Sequence, residues 1–235
     1  MVEPLYLVKV TCPHCDFEYK TSRVRPSFKK SSGSDTDFCL YYKAINPDFY
    51  VVRVCPFCGF ACTESSAEHL TAVQKKLFSE KVAEQWVPRD YGGERNWDDA
   101  LYTYKLGLLS CQIIGEKNRV IAGLLHHIAW LYREKGDRGQ ENRFLQYALD
   151  EYTRVFETEQ NEVNNARLMY LLGELNRRLK NYNQAVRWFA RVINDRRIMD
   201  AGIIRACREQ WQVTREDMQA EQFELDEEAR LLKES

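Results

Sequence analysis

Residues 96–107, Asn-Trp-Asp-Asp-Ala-Leu-Tyr-Thr-Tyr-Lys-Leu-Gly, decide the fold class of this 235-residue chain. Trp97, Leu101, Tyr104, Leu108 and Cys111 recur every three to four positions, so a helix here carries one apolar stripe. Asn96 offers a side-chain cap, and Asp98 and Asp99 stand at the positive end of the helix dipole. Residues 181–192, Asn-Tyr-Asn-Gln-Ala-Val-Arg-Trp-Phe-Ala-Arg-Val, repeat the plan. Each stretch sets an aromatic (Trp97, Tyr182), a small residue three later (Ala100, Ala185) and an aromatic four beyond that (Tyr104, Phe189). A small residue lets a partner helix come close, and the aromatics fill the space beside it.

Working outward, the partner helices are Leu125…Ile128-Ala129…Tyr132 and Met169…Leu172-Gly173, the first closed by Gly136-Asp137. Pairs of this kind carry the pattern of tetratricopeptide-type (TPR-like) helical hairpins, although the spacing of about 41–44 residues exceeds the usual repeat of roughly 34. Glu141 departs from the pattern by taking the small-residue slot of the middle unit. Further helices are expected over Phe144–Phe156, residues 163–179 and residues 184–193, with a break at Lys180-Asn181-Tyr182. The first should start at Ser65-Ser66-Ala67-Glu68, which has the spacing of a capping box, and stop at Pro88. The last should start near Met199 and fray or project after Thr214.

The N-terminal quarter is of another kind. Cys12-Pro13-His14-Cys15 and Cys55-Pro56-Phe57-Cys58-Gly59 each follow a β-prone run, Leu5–Val10 and Val51–Val54. Two such C-x-x-C knuckles place four thiolates around one tetrahedral ion, with Cys12, Cys15, Cys55 and Cys58 as ligands. Zinc is the expected occupant, with rubredoxin-type iron and an electron-transfer or redox-sensing role as the alternative. Four thiolates leave no position for water, so the site is expected to be structural. Cys39, Cys62 and His69 are further ligand types nearby, whereas Cys111 and Cys207 fall on apolar helix faces. The expected architecture is mostly α: a zinc-ribbon-like β region over 1–62, a TPR-like antiparallel helical-hairpin array over 63–213, and an acidic tail over 214–235.

Charge and motifs narrow the function. The formal net charge is −1, so no global field favours nucleic acid or a membrane surface. The local basic run Lys20…Arg23…Arg25…Lys29-Lys30 leaves nucleic-acid binding through the ribbon as a second alternative. No stretch is apolar enough to span a bilayer, residues 1–10 lack a signal-peptide pattern, and C-x-x-C pairs suit a reducing cytoplasm. No nucleophile–base or phosphate-binding motif is present, and adjacent His126-His127 point about 100° apart on a helix, so the chain is expected not to be an enzyme. In the repeat register above, one groove face presents His126, Trp130 and Arg133, and the next presents Arg167, Tyr170, Glu174, Arg177 and Arg178. This aromatic and mainly basic set suits an acidic peptide or carboxylate. The chain's own tail, Glu216 to Glu234, is one candidate ligand, since residues 214–235 carry eight acidic groups against three basic.

Cys12-Pro-His-Cys15, Asp35-Thr-Asp37, and Tyr50 ahead of Cys55-Pro-Phe-Cys58-Gly59-Phe60-Ala61, followed by helices, resemble the bacterial family catalogued as domain of unknown function 2225. The resemblance covers nearly the whole chain. It implies a zinc-ribbon-like N-terminal region and a TPR-like C-terminal region, and brings no activity with it.

Overall fold

The computed structural model describes residues 2–158 and 165–234. The chain is mostly α: small antiparallel strand pairs come first, then a hairpin-like array of helices. It divides into two compact units, Met1–Glu151 and Tyr152–Ser235.

In the first unit, strand β1 (Leu5–Thr11) pairs with β2 (Glu18–Val24), from Leu5 opposite Val24 to Thr11 opposite Glu18. The first cysteine knuckle is therefore the turn of this hairpin. The second knuckle is the turn between β5 (Arg53–Val54) and β6 (Ala61–Cys62). Between them an insertion forms its own hairpin, β3 (Ser31–Ser34) with β4 (Leu40–Tyr42), whose turn holds Asp35-Thr36-Asp37.

The helices of this unit are α1 (Ala72–Lys81), α2 (Trp97–Ile114) and α3 (Asn118–Glu134), with α4 (Arg138–Thr158) running on past Glu151. Asn96 caps α2 by accepting from the Asp99 amide, and Gly115 ends it in the left-handed region at φ 65°. The start expected at Ser65 is displaced: α1 begins at Ala72, capped reciprocally by Thr71 and Gln74. The reason is competition for partners. Ser66 spends its hydroxyl on the Thr63 amide, and the Ala67 amide is taken by the buried carboxylate of Glu116.

Val52, Val54 and Ala61 from the second hairpin share one core with Ala100, Leu101 and Tyr104 of α2 and Leu124, Ile128 and Leu131 of α3. Arg95, buried just before α2, ties that hairpin in place. It donates to the carbonyls of Phe49 and Val52, both at 2.8 Å, and to that of Tyr91. Burial lowers its pKa, and the three carbonyls meet the cation instead of water.

The second unit contains α5 (Ala166–Arg178), α6 (Tyr182–Asn194) and α7 (Ala201–Glu234). Residues 163 and 164 of the expected fifth helix lie outside the described residues. The small-residue rule holds here in atomic detail. A β-carbon on Gly173 would stand 2.5 Å from the buried Phe189 ring, so only glycine admits this approach of α5 and α6. Lys180 turns the chain between them at φ 63°. The expected fraying after Thr214 does not occur: α7 continues without a break to Glu234. Cys207 and Thr214 are fully buried on its inner face, and Asp217 and Glu221 meet Arg177 and Lys180 at 3.0 and 2.8 Å. These contacts give the charged segment a packed side to fold against.

Candidate metal centre and the acid-holding helix face

The two hairpin turns bring Cys12, Cys15, Cys55 and Cys58 together, with all four sulfurs within 4.8 Å of one another. Cys12 Sγ lies 3.7 Å from Cys58 Sγ, and Cys15 Sγ lies 3.7 Å from Cys55 Sγ. A tetrahedral ion holding sulfur at about 2.3 Å spaces its ligands about 3.8 Å apart, so the residues present fit a four-coordinate thiolate centre.

The knuckles use the same backbone scheme. The Cys12 amide donates to the Phe17 carbonyl and the Asp16 amide to that of Cys12; the Cys55 amide donates to Phe60 and the Gly59 amide to Cys55. Both turns pass through the left-handed region at the residue after the second cysteine, Asp16 at φ 59° and Gly59 at φ 76°. Backbone amides also point at sulfur: that of Cys15 at Cys12, those of Phe57 and Cys58 at Cys55, and that of Phe60 at Cys58. Without a counter-charge the sulfurs must share protons. Hydrogen bonds from Cys12 and Cys58 pull Cys55 down to about 2, and the same bonds push the thiols of Cys12 and Cys58 up. A divalent cation removes that conflict by stabilising every thiolate at once.

The surroundings are dry. Three of the four cysteines pack with Tyr19, Phe60, Cys62, Phe78 and Ile114 in one buried apolar cluster. His14, inside the first knuckle, is not a ligand. Its ring stands edge-on to Phe78 with centroids 4.9 Å apart, and its Nε2 lies 3.1 Å from both the Lys75 carbonyl and Ser79 Oγ of α1. Among the described residues the four-sulfur group is the one set of three or more such ligands close enough for an ion. Cys62 is core, Cys39 lies in another part of the unit beside the Asp37 turn, and His69 is exposed.

Of the groove residues expected from sequence, the first three do meet a carboxylate, and it belongs to this chain. Asp37 is wholly buried. Arg133 donates to it from Nη1 and Nη2 at 2.9 and 2.6 Å, Trp130 Nε1 donates at 3.0 Å, and His126 Nε2 lies 3.3 Å away. Arg133 also reaches Asp35 at 3.0 Å and Glu141 at 2.7 Å. Glu141 thus holds the small-residue slot because it serves as a counter-ion. Burial opposes the charge on Arg133, yet its bonds to Asp37 and Glu141 carry its pKa upward. Burial lowers that of His126 despite Asp37, so this imidazole is held neutral.

In the second unit Tyr170 is buried, Arg167 is exposed, and Arg177 and Arg178 both donate to the buried Glu174. Arg177 is bidentate to Glu174 at 2.9 Å for each bond and adds Asp217 of α7. The bond to Glu174 is the main cause of its raised pKa. Part of the tail therefore does fold onto a basic residue of the expected face. The basic run of the ribbon is divided: Arg23 pairs with Glu64, Arg25 holds the Glu3 carbonyl, and Lys20, Lys29 and Lys30 are exposed. Sequence reasoning named Asp37 without a role and missed Arg95 and Asp16. The Asp35-Thr36-Asp37 turn was visible as a motif, but nothing local says which helix receives it.

Among the described residues no helix is long and apolar enough to cross a membrane. A search of curated proteins returns no match. The model of a family described as an uncharacterised protein conserved in bacteria, domain of unknown function 2225, matches residues 5–214, and the chain belongs to that family.

Proposed function

For this member of the bacterial family we propose a non-enzymatic cytoplasmic scaffold, in which structural zinc closes an N-terminal ribbon and a TPR-like helical array recognises acidic segments of other proteins. One observation carries the zinc reading: four sulfurs at tetrahedral spacing, with their shell completed by apolar side chains and backbone amides. Such a centre has no position for substrate or water, so it contributes folding free energy and no chemistry. The grip of His126, Trp130 and Arg133 on Asp37 supports the recognition half, because it is carboxylate recognition by a helix face performed within one chain.

Metal content and the visible spectrum of untagged protein, purified without added metal, test the first half. The expected result is one zinc per chain and no colour. Stoichiometric iron with thiolate charge-transfer bands would replace the staple by a redox centre. The second half is tested separately with a labelled peptide of the chain's own Asp35-Thr36-Asp37 turn. It should bind the Asp37→Asn chain more tightly than the unchanged chain, whose face is filled. Equal affinity would sink acidic-segment recognition and leave the metal assignment standing.

A further inference from the structure

Beside the Asp37 network the first unit contains a cavity of about 180 Å³ between β4, the turn before β5 and the C-terminal half of α3. Tyr41, Tyr42, Trp130 and Leu131 are among its lining residues, together with the acidic Asp48 and Glu134. We propose that this cavity is a binding site for a small organic cation, an alkylammonium of the quaternary or methylated type, held by the aromatic wall and the two carboxylates.

The charge balance points to a cation. The basic group nearest Asp48 among the described residues is His127, whose Nε2 lies 3.9 Å away, beyond hydrogen-bond distance. His127 Nδ1 lies 2.8 Å from the Gly123 carbonyl and is the donor of that bond. Burial raises the Asp48 pKa and outweighs the opposing pull of His127. Glu134 meets only the Asn46 amide, at 3.1 Å, among the described residues. Arg133 also lines the space, yet four of its hydrogen bonds go to Asp35, Asp37 and Glu141. It offers an incoming anion little.

The other chemistries fit worse. Asp48, Glu134 and His127 do not converge as metal ligands, since only the cysteine group does so among the described residues. Cys39, which also lines the cavity, has its thiol pushed up to about 12 by burial and is no nucleophile at neutral pH. Tyrosine and tryptophan beside carboxylates are the components with which proteins hold methylated ammonium groups, where dispersion, the ring quadrupole and a counter-charge act together. The volume is below the roughly 300 Å³ of ordinary ligand pockets, which restricts the guest to a few heavy atoms.

The test is an NMR titration of the full-length chain with choline and, separately, with its uncharged isostere 3,3-dimethylbutan-1-ol. Choline should saturate in the millimolar range or below while shifting the Trp130 indole signal, and the alcohol should bind about tenfold more weakly or worse. Asp48→Asn, checked for retained fold by its circular dichroism and melting temperature, should weaken choline by a similar factor and leave the alcohol unchanged. Absence of saturable choline binding, equal affinity for the two probes, or an unaltered choline affinity in a folded Asp48→Asn chain would each overturn the proposal. If that variant does not fold, the comparison of the two probes on the unchanged chain decides alone.

Discussion

The two cysteine knuckles build one centre from the same hydrogen-bond scheme, yet they rest on different supports. At the residue that must turn left-handed, the first knuckle has Asp16, which is exposed and reaches Lys75 at 3.3 Å. The second has Gly59, which is buried under the Trp86 indole; a β-carbon there would lie 2.5 Å from that ring. Trp86 itself is fixed by donating to the Pro56 carbonyl at 2.9 Å. The first knuckle is instead anchored through its middle, where buried His14 grips α1. The difference shows that a C-x-x-C knuckle prescribes its backbone, and the packing around it decides which side chains that backbone tolerates.

The largest effect should come from breaking both knuckles at once. Chelating a zinc ion held there as proposed should forfeit most of the roughly 10–16 kcal/mol that a structural four-ligand zinc contributes. Amide exchange should then rise across β1, β2, β5 and β6; a ribbon still protected after verified metal loss would show that the apolar cluster alone holds it. Next comes Gly59→Ala, which adds both a left-handed β-carbon and an overlap with Trp86. About 2–4 kcal/mol of destabilisation is expected in urea unfolding, and a loss below about 1 would mean that Trp86 moves aside freely. His14→Ala should cost about 2–3 kcal/mol through lost packing and hydrogen bonding, with metal stoichiometry unchanged. A lost metal ion would make His14 part of the centre. The smallest effect belongs to Asp16→Gly: relief at φ 59° offsets the greater backbone freedom of glycine and a weak exposed ion pair. A stability change under about 1 kcal/mol is expected, and the contrast with Gly59→Ala is the sharpest measure of how differently the two turns are covered.

The same contrast between local and distant support appears on the helices. Arg177 and Arg178 find Glu174 three and four residues away, so a helical spacing rule brings that pair into view from sequence. Arg133 finds Asp35 and Asp37 across almost a hundred positions, through a hairpin inserted between the two knuckles. The sequence therefore showed an arginine face suited to carboxylates, with the acidic tail as one candidate, and did not show that Asp35 and Asp37 are the carboxylates Arg133 holds. Ser65 misled for a related reason: its capping-box spacing is genuine, but Glu116, some fifty residues on, claims the amide at Ala67. Glu141 looked like a flaw in the repeat until its place beside Arg133 gave it a partner.

By itself, the sequence determined what repeats at short range. Helical periodicity, the Asn96 cap, the small-residue slots at Ala100, Gly173 and Ala185, and two C-x-x-C pairs at ligand spacing all follow from sterics and hydrogen bonding within a few residues. Tertiary structure alone decided the rest: that Asp37 fills the face of His126, Trp130 and Arg133, that Trp86 requires glycine at position 59, that α7 stays helical past Thr214, and that Asp48 looks onto an aromatic cavity. Each of these depends on burial, which sets how strongly a charge needs a partner and whether a β-carbon has room. Burial is a property of segments that meet across the fold, and no local pattern encodes which ones will.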